Sequence, residues 1–118
     1  MALPVRSSRG DVVLVLFPNS DLRTAKVRPA LVVQANNLNT GLSQVIVAMI
    51  SSRSSRAGHP SRVFIEHASD TGLRSGLLCD SVVMTDNLAT VLYSEVSRVI
   101  GQLPMVAVDG ALRHTLGL

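Results

Sequence analysis

The chain has 118 residues, 47% hydrophobic and 16% charged, with a formal net charge of +3 and a sequence pI of about 10.0. That length suits one domain over residues 1–118, and the composition excludes a disordered chain. A lone Cys79 excludes an intrachain disulfide or a multi-cysteine metal site, and apolar runs such as 45–50 fall far short of the roughly 20 residues of a membrane helix, so no membrane association and a cytoplasmic location are expected.

The first predicted strand is Asp11-Val12-Val13-Leu14-Val15-Leu16-Phe17, and the second is Pro29-Ala30-Leu31-Val32-Val33-Gln34. Both are short, nearly continuous Val/Leu runs, as expected of strands buried on both faces. Pro29 is assigned the first strand position, because a proline inside a sheet removes a ladder hydrogen bond. A turn cluster over 36–41 precedes a third strand over 44–50. Residues 51–61, Ser51-Ser52-Arg53-Ser54-Ser55-Arg56-Ala57-Gly58-His59-Pro60-Ser61, read as a flexible basic loop able to close over a phosphate chain. Alternation predicts a strand over 62–66, a turn region follows over 69–76, and further strands are predicted over 81–85 and 95–100. Residues 104–116 are the best helix. Ala107 with Ala111, and Val108 with Leu112, fall at i, i+4 spacing, Pro104 suits the first turn, and Gly117 suits the C-terminal cap. Gly110 weakens it by about 1 kcal/mol. Five or six short strands followed by one terminal helix predict a mainly β fold, a small and strongly bent barrel.

Charge is polarised along the chain. Arg6, Arg9, Arg23, Lys26, Arg28, Arg53, Arg56 and Arg62 fall in the first 62 residues against only Asp11 and Asp21. A polyanion such as nucleic acid is the natural partner class. With Phe17, Phe64 and Tyr93 the sole aromatics, a base-stacking platform is disfavoured. Arg28 stands at the mouth of a buried strand. A guanidinium cannot enter a core unpaired, so it is held at the rim, facing either an anion or a structural partner such as Asp11 or Asp86. His59, within the basic loop, could approach a phosphate, although a loop histidine is more often simply solvated. His67 and His114 lack the clustering a metal site requires, and no metal or other cofactor is expected. Cys79 reads as a small apolar filler.

Three blocks, Arg9-Gly10-Asp11-Val12-Val13-Leu14-Val15, Val27-Arg28-Pro29-Ala30-Leu31-Val32-Val33 and Ile46-Val47-Ala48-Met49-Ile50-Ser51, resemble in order and spacing the successive blocks of the MazF/PemK (Kid) toxin family. Ser81-Val82-Val83-Met84-Thr85-Asp86-Asn87-Leu88 resembles that family's block around an acidic residue followed by an amide. The resemblance implies an SH3-like β-barrel (CcdB/MazF/Kid-like) with a C-terminal helix. It also implies a homodimer that acts as a sequence-selective, metal-independent endoribonuclease toxin of a type II toxin-antitoxin system. Single-stranded RNA would be cut by attack of the ribose 2′-hydroxyl on the adjacent phosphate, giving 2′,3′-cyclic phosphate and 5′-hydroxyl ends. A cognate antitoxin would silence the toxin, and operator DNA would be bound only together with that antitoxin.

By the same resemblance Arg28 matches the catalytic arginine, and Ser51 stands where the family carries a catalytic threonine. A hydroxyl is kept there but the rotamer-restricting methyl is lost. Asp86 and Asn87 match the acidic-plus-amide pair, lining the RNA groove or buttressing the arginine. Ala89 replaces a basic residue common in the family and removes one expected phosphate contact. Arg23, Lys26, Ser52, Arg53, Arg56 and His59 complete the expected substrate contacts, with the segment 53–62 as a lid over the RNA. The residue that takes the 2′-hydroxyl proton is not specified. Two other readings remain open at this point: a gyrase-binding toxin similar to CcdB, and a noncatalytic barrel that binds nucleic acid or antitoxin.

Overall fold

The computed structural model describes residues 7–18, 21 and 23–118; Arg6 of the basic segment lies outside them. The described elements are strands β1 (Asp11–Pro18), β2 (Ala25–Val32), β3 (Gln44–Ser51), β4 (Arg62–Ile65), β5 (Ser81–Leu92) and β6 (Val96–Gln102), with helices α1 (Asp70–Ser75) and α2 (Val106–Leu116). They form a six-stranded sheet in the order β4-β5-β3-β2-β1-β6. Every pairing is antiparallel.

The apolar runs of β1, β2 and β3 are buried on both faces, as their near-continuous hydrophobicity predicts. One face supplies a core of Val13, Val15, Ala30, Val32, Val45, Val47, Val91 and Val96. Val91 on β5 and Val96 on β6 come from strands four places apart in the sheet order, yet they meet in this one cluster. The sheet must therefore curl around its valines. The curl stops short of closure: β4 and β6 remain as unpaired edges, so the expected barrel is an open, strongly bent sheet. On the opposite face Val12, Leu31, Ala48, Ile50 and Val83 pack with Ile65, Leu77, Leu103 and Val108. Val108 and Ala111 are the buried residues of α2. Of the other two positions in the predicted helical spacing, Leu112 is half-buried and packs against that cluster, and only Ala107 is exposed.

Several boundaries differ from the sequence reading for identifiable reasons. The second strand begins at Ala25, not Pro29, because the hairpin continues the β1 ladder to Pro18↔Ala25. Pro29 therefore lies inside β2, opposite Leu14. The β2–β3 ladder ends at Ala30↔Met49, next to this proline, as befits a residue with no amide hydrogen to contribute. Residues 69–76, expected to be a turn, form α1. The Ser69 hydroxyl accepts from the Gly72 amide, and Gly76 closes the helix in the left-handed region at φ 73°. The strand expected over 81–85 continues to Leu92 through a bulge. Ala48 pairs with Leu88 and Met49 with Met84, which leaves Thr85, Asp86 and Asn87 without partners on β3. The terminal helix starts two residues after Pro104 and is capped by Gly117 at φ 71°.

Gly76 and Gly110 make a matched test. A Cβ on Gly76 would lie 2.0 Å from the Ile100 carbonyl oxygen, whereas one on Gly110 meets nothing within 4 Å. Gly76→Ala is expected to destabilise the protein by about 2–4 kcal/mol, and Gly110→Ala to stabilise it by about 1 kcal/mol. Equilibrium chemical denaturation of the two variants checks both signs.

Candidate active site

Arg28 sits in β2 opposite Val15, on the same strand face as Ala30 and Val32. It is the first residue of that row to leave the core and is exposed. Ser51 ends β3 in the row of Val45, Val47 and Met49, which faces the same valine core. The β2–β3 ladder pairs Val32↔Val47, Leu31↔Ala48 and Ala30↔Met49; continued by two residues, the same register would set Arg28 across from Ser51. Both residues therefore lie on the valine-core face of their strands, two positions beyond the last β2–β3 pair. Lys26 lies on the same face as Arg28 and is exposed.

The polar environment leaves both groups available. Neither acid considered as a structural partner for Arg28 takes that role. Asp11 is buried and accepts from the Ser8 amide at 2.8 Å and the Gln102 side-chain amide at 3.0 Å. Asp86 pairs with Arg62 at 2.9 Å. Among the described residues the Arg28 guanidinium has no hydrogen-bond or ion-pair partner. The Ser51 hydroxyl oxygen accepts from the Arg53 amide at 3.1 Å, so its own hydrogen remains to be donated outward. An unpaired guanidinium beside an outward-donating hydroxyl can grip and orient a phosphate.

Arg23 is exposed at the start of the hairpin's second arm. The Asp21 carboxylate organises this turn, accepting from the Arg23 and Thr24 amides at 2.9 and 3.1 Å. Those bonds, the Arg23 amide foremost, hold its carboxyl below the usual carboxylate range. An Asp two residues before a basic strand entry was a readable turn signal that the sequence reading did not use.

The basic segment makes several defined contacts. Ser54–Arg56 form a 3-10 turn, and Arg56 reaches the Met84 sulfur at 3.7 Å while its carbonyl accepts from Arg62 at 3.1 Å. His59 Nδ1 accepts from the Ser61 amide at 3.1 Å. Ser52 and Arg53 are exposed at the β3 end of this segment. Asp86 and Asn87 are exposed on the β5 bulge, a common device for aiming side chains beside a site. Asp86 therefore braces Arg62 and the loop, and does not buttress Arg28. Ala89 is half-buried against the valine core, so the face where the family carries a basic residue here turns inward. Cys79 is exposed, not the apolar filler expected. Among the described residues no three His, Cys, Asp or Glu side chains converge as metal ligands. No helix among them is long and apolar enough to cross a membrane.

A bent antiparallel sheet that sets an arginine and a hydroxyl at one rim of a valine core, with a C-terminal helix behind, defines the class. The sequence matches, over residues 8–116, the family described as PemK-like, MazF-like toxin of type II toxin-antitoxin system. It is 36% identical over 107 residues to Endoribonuclease MazF2 of Mycobacterium bovis, spanning 87% of this chain and 90% of the relative. The same identity and coverage relate it to Endoribonuclease MazF6 of Mycobacterium tuberculosis. A mycobacterial endoribonuclease solved in complex with its cognate antitoxin is similar in fold, with a TM-score of 0.71 at 23% identity, covering 96% of this chain and 97% of that one. A MazE-MazF structure from Deinococcus radiodurans gives 0.70 at 21% identity, covering 97% and 98%. The chain belongs to the PemK-like, MazF-like family of type II toxins.

Hydrogen bonding from Arg62 is the main cause that holds the Asp86 carboxyl below its ordinary range. A depressed carboxyl contributes stability above its unfolded-state pKa of about 3.9 and loses it as pH falls through the lower folded value. Because the pair is about one-third exposed, Asp86→Asn should cost at most about 1 kcal/mol at pH 7. Urea melts of parent and variant at stepped pH should draw together as the pH falls from the unfolded-state value through the lower folded one.

Proposed function

We propose that this toxin is an endoribonuclease that cleaves single-stranded RNA without a metal ion, acting as a single domain over residues 1–118. The observation that carries the reading is the exposed Arg28 guanidinium, unpaired among the described residues, on the same core face as the Ser51 hydroxyl that ends β3. Attack of the 2′-hydroxyl forms an O2′–phosphorus bond and breaks the phosphorus–O5′ bond, leaving a 2′,3′-cyclic phosphate and a 5′-hydroxyl. The intermediate concentrates negative charge on the non-bridging oxygens. Arg28 stabilises that charge through its planar fork, and Ser51 donates a further hydrogen bond. Arg23, Lys26, Ser52, Arg53 and Arg56 hold flanking phosphates, and His59, Asp86 and Asn87 line the groove beside them.

The relatives named endoribonucleases favour cleavage over gyrase binding or a noncatalytic barrel. The solved toxin complexes support a cognate antitoxin as the protein partner. We further assign it a homodimeric state, a cytoplasmic location, and operator DNA binding only together with antitoxin.

Purified protein incubated in EDTA with a long single-stranded RNA should give discrete cuts with 5′-hydroxyl ends. Arg28→Ala should lower kcat by about 10²-fold or more with the circular dichroism spectrum unchanged. Ser51→Thr should retain cleavage and Ser51→Ala should reduce it. An Arg28→Ala protein that still cuts at the parental rate overturns the assignment.

A further inference from the structure

The segment carrying Arg53 and Arg56 is held from two sides, and one of them is the C-terminal helix. Thr85, fully buried at the start of the β5 bulge, directs its amide and its hydroxyl to the same acceptor, the Ser61 carbonyl, at 3.0 and 2.6 Å. Its Oγ1 also lies 2.8 Å from Thr115 Oγ1 on α2. The single Thr85 hydroxyl hydrogen is already given to Ser61, so Thr115 is the donor in that second bond. On the other side of Ser61, the amide donates to His59 Nδ1 at 3.1 Å. The His59 ring meets the His114 ring edge-on, with centroids 6.0 Å apart and an interplanar angle of 69°. Two consecutive helix residues therefore hold the two ends of one loop residue: Thr115 through Thr85 to the Ser61 carbonyl, and His114 through His59 to the Ser61 amide.

Ser61 is itself buried, so both of its backbone groups need partners, and water cannot easily replace them. The chain on either side of it bears Arg53 and Arg56, proposed above to hold phosphates, and the Arg62–Asp86 pair. A shift at Ser61 would displace these side chains while leaving Arg28, on β2, where it is. We infer that His114 and Thr115 are positioning residues for substrate binding: the C-terminal helix sets the height of the basic loop over the RNA groove. This rests on the ribonuclease reading above, and its test is arranged to separate the two.

Steady-state cleavage is measured for Thr115→Val, Thr115→Ser, His114→Ala and His114→Phe, beside amide hydrogen exchange of each protein without RNA. Thr115→Val and His114→Ala should raise KM about fivefold, the size expected when one hydrogen bond or ring contact is lost, with kcat within about twofold of the parent. Thr115→Ser and His114→Phe, which keep the hydroxyl and the ring edge, should restore the parental KM. In Thr115→Val the Ser61 and Thr85 amides should exchange faster while β1 and β2 amides keep their protection. Unchanged exchange at Ser61 and Thr85 overturns the latch and leaves the ribonuclease reading standing. Faster exchange with an unchanged KM overturns the positioning role, because the loop then moves without affecting substrate. A parallel fall of kcat and melting temperature that the conservative variants do not rescue also overturns it, in favour of a purely structural contact. Absence of cleavage by the parent protein is instead a failure of the ribonuclease reading, recognised by the Arg28 comparison, and the exchange data then decide the latch alone.

Discussion

Burial of the central strands on both faces is the constraint from which the site follows. Along β2 the row of Val32, Ala30 and Arg28 runs from the centre of the valine core to its rim. A charge anywhere deeper in that row would cost several kcal/mol unless paired. The only tolerable place for a guanidinium is the rim, where the ladder to β3 ends. The end of β3 lies on the same core face, and Ser51 stands there two positions beyond the last β2–β3 pair. The placement proposed above for gripping a phosphate thus follows from where the core stops.

The β5 bulge does the complementary work. By leaving Thr85, Asp86 and Asn87 unpaired with β3, it turns one residue inward and lets two face solvent. Thr85 becomes a buried polar anchor, satisfied by Ser61 and Thr115, and Asp86 fixes Arg62. The basic loop is consequently an ordered platform. Ordering it before substrate arrives removes part of the entropy that a flexible lid would lose on closing.

Arg28 and the acids illustrate how far residue types alone can be read. Arg28 could be singled out from its place between a basic loop and an apolar run, but Asp11 and Asp86 were equally reasonable partners for it. Both are engaged elsewhere, by Ser8, Gln102 and Arg62. Those partners lie up to 91 positions away along the chain, and no local pattern encodes such pairings. Pro29 shows the opposite error. A sound local rule placed it at a strand start, and the hairpin overrode that rule because β2 has no ladder bonds to β3 beyond Ala30.

The sequence by itself determined the mainly β class, the strands over the Val/Leu runs, the helix closed by Gly117, the basic bias of the first half and, through four blocks in register, the toxin family. These are properties of short windows, where hydrophobic period, turn chemistry and motif spacing act locally. Only the tertiary structure decided that the sheet curls without closing, that residues 85–87 bulge, and that Asp11 and Asp86 are engaged away from Arg28. It also decided that α2 reaches Thr85 through Thr115 and His59 through His114. Each of those depends on contacts between residues far apart in sequence, set by how two cores on opposite faces of one sheet can be filled together.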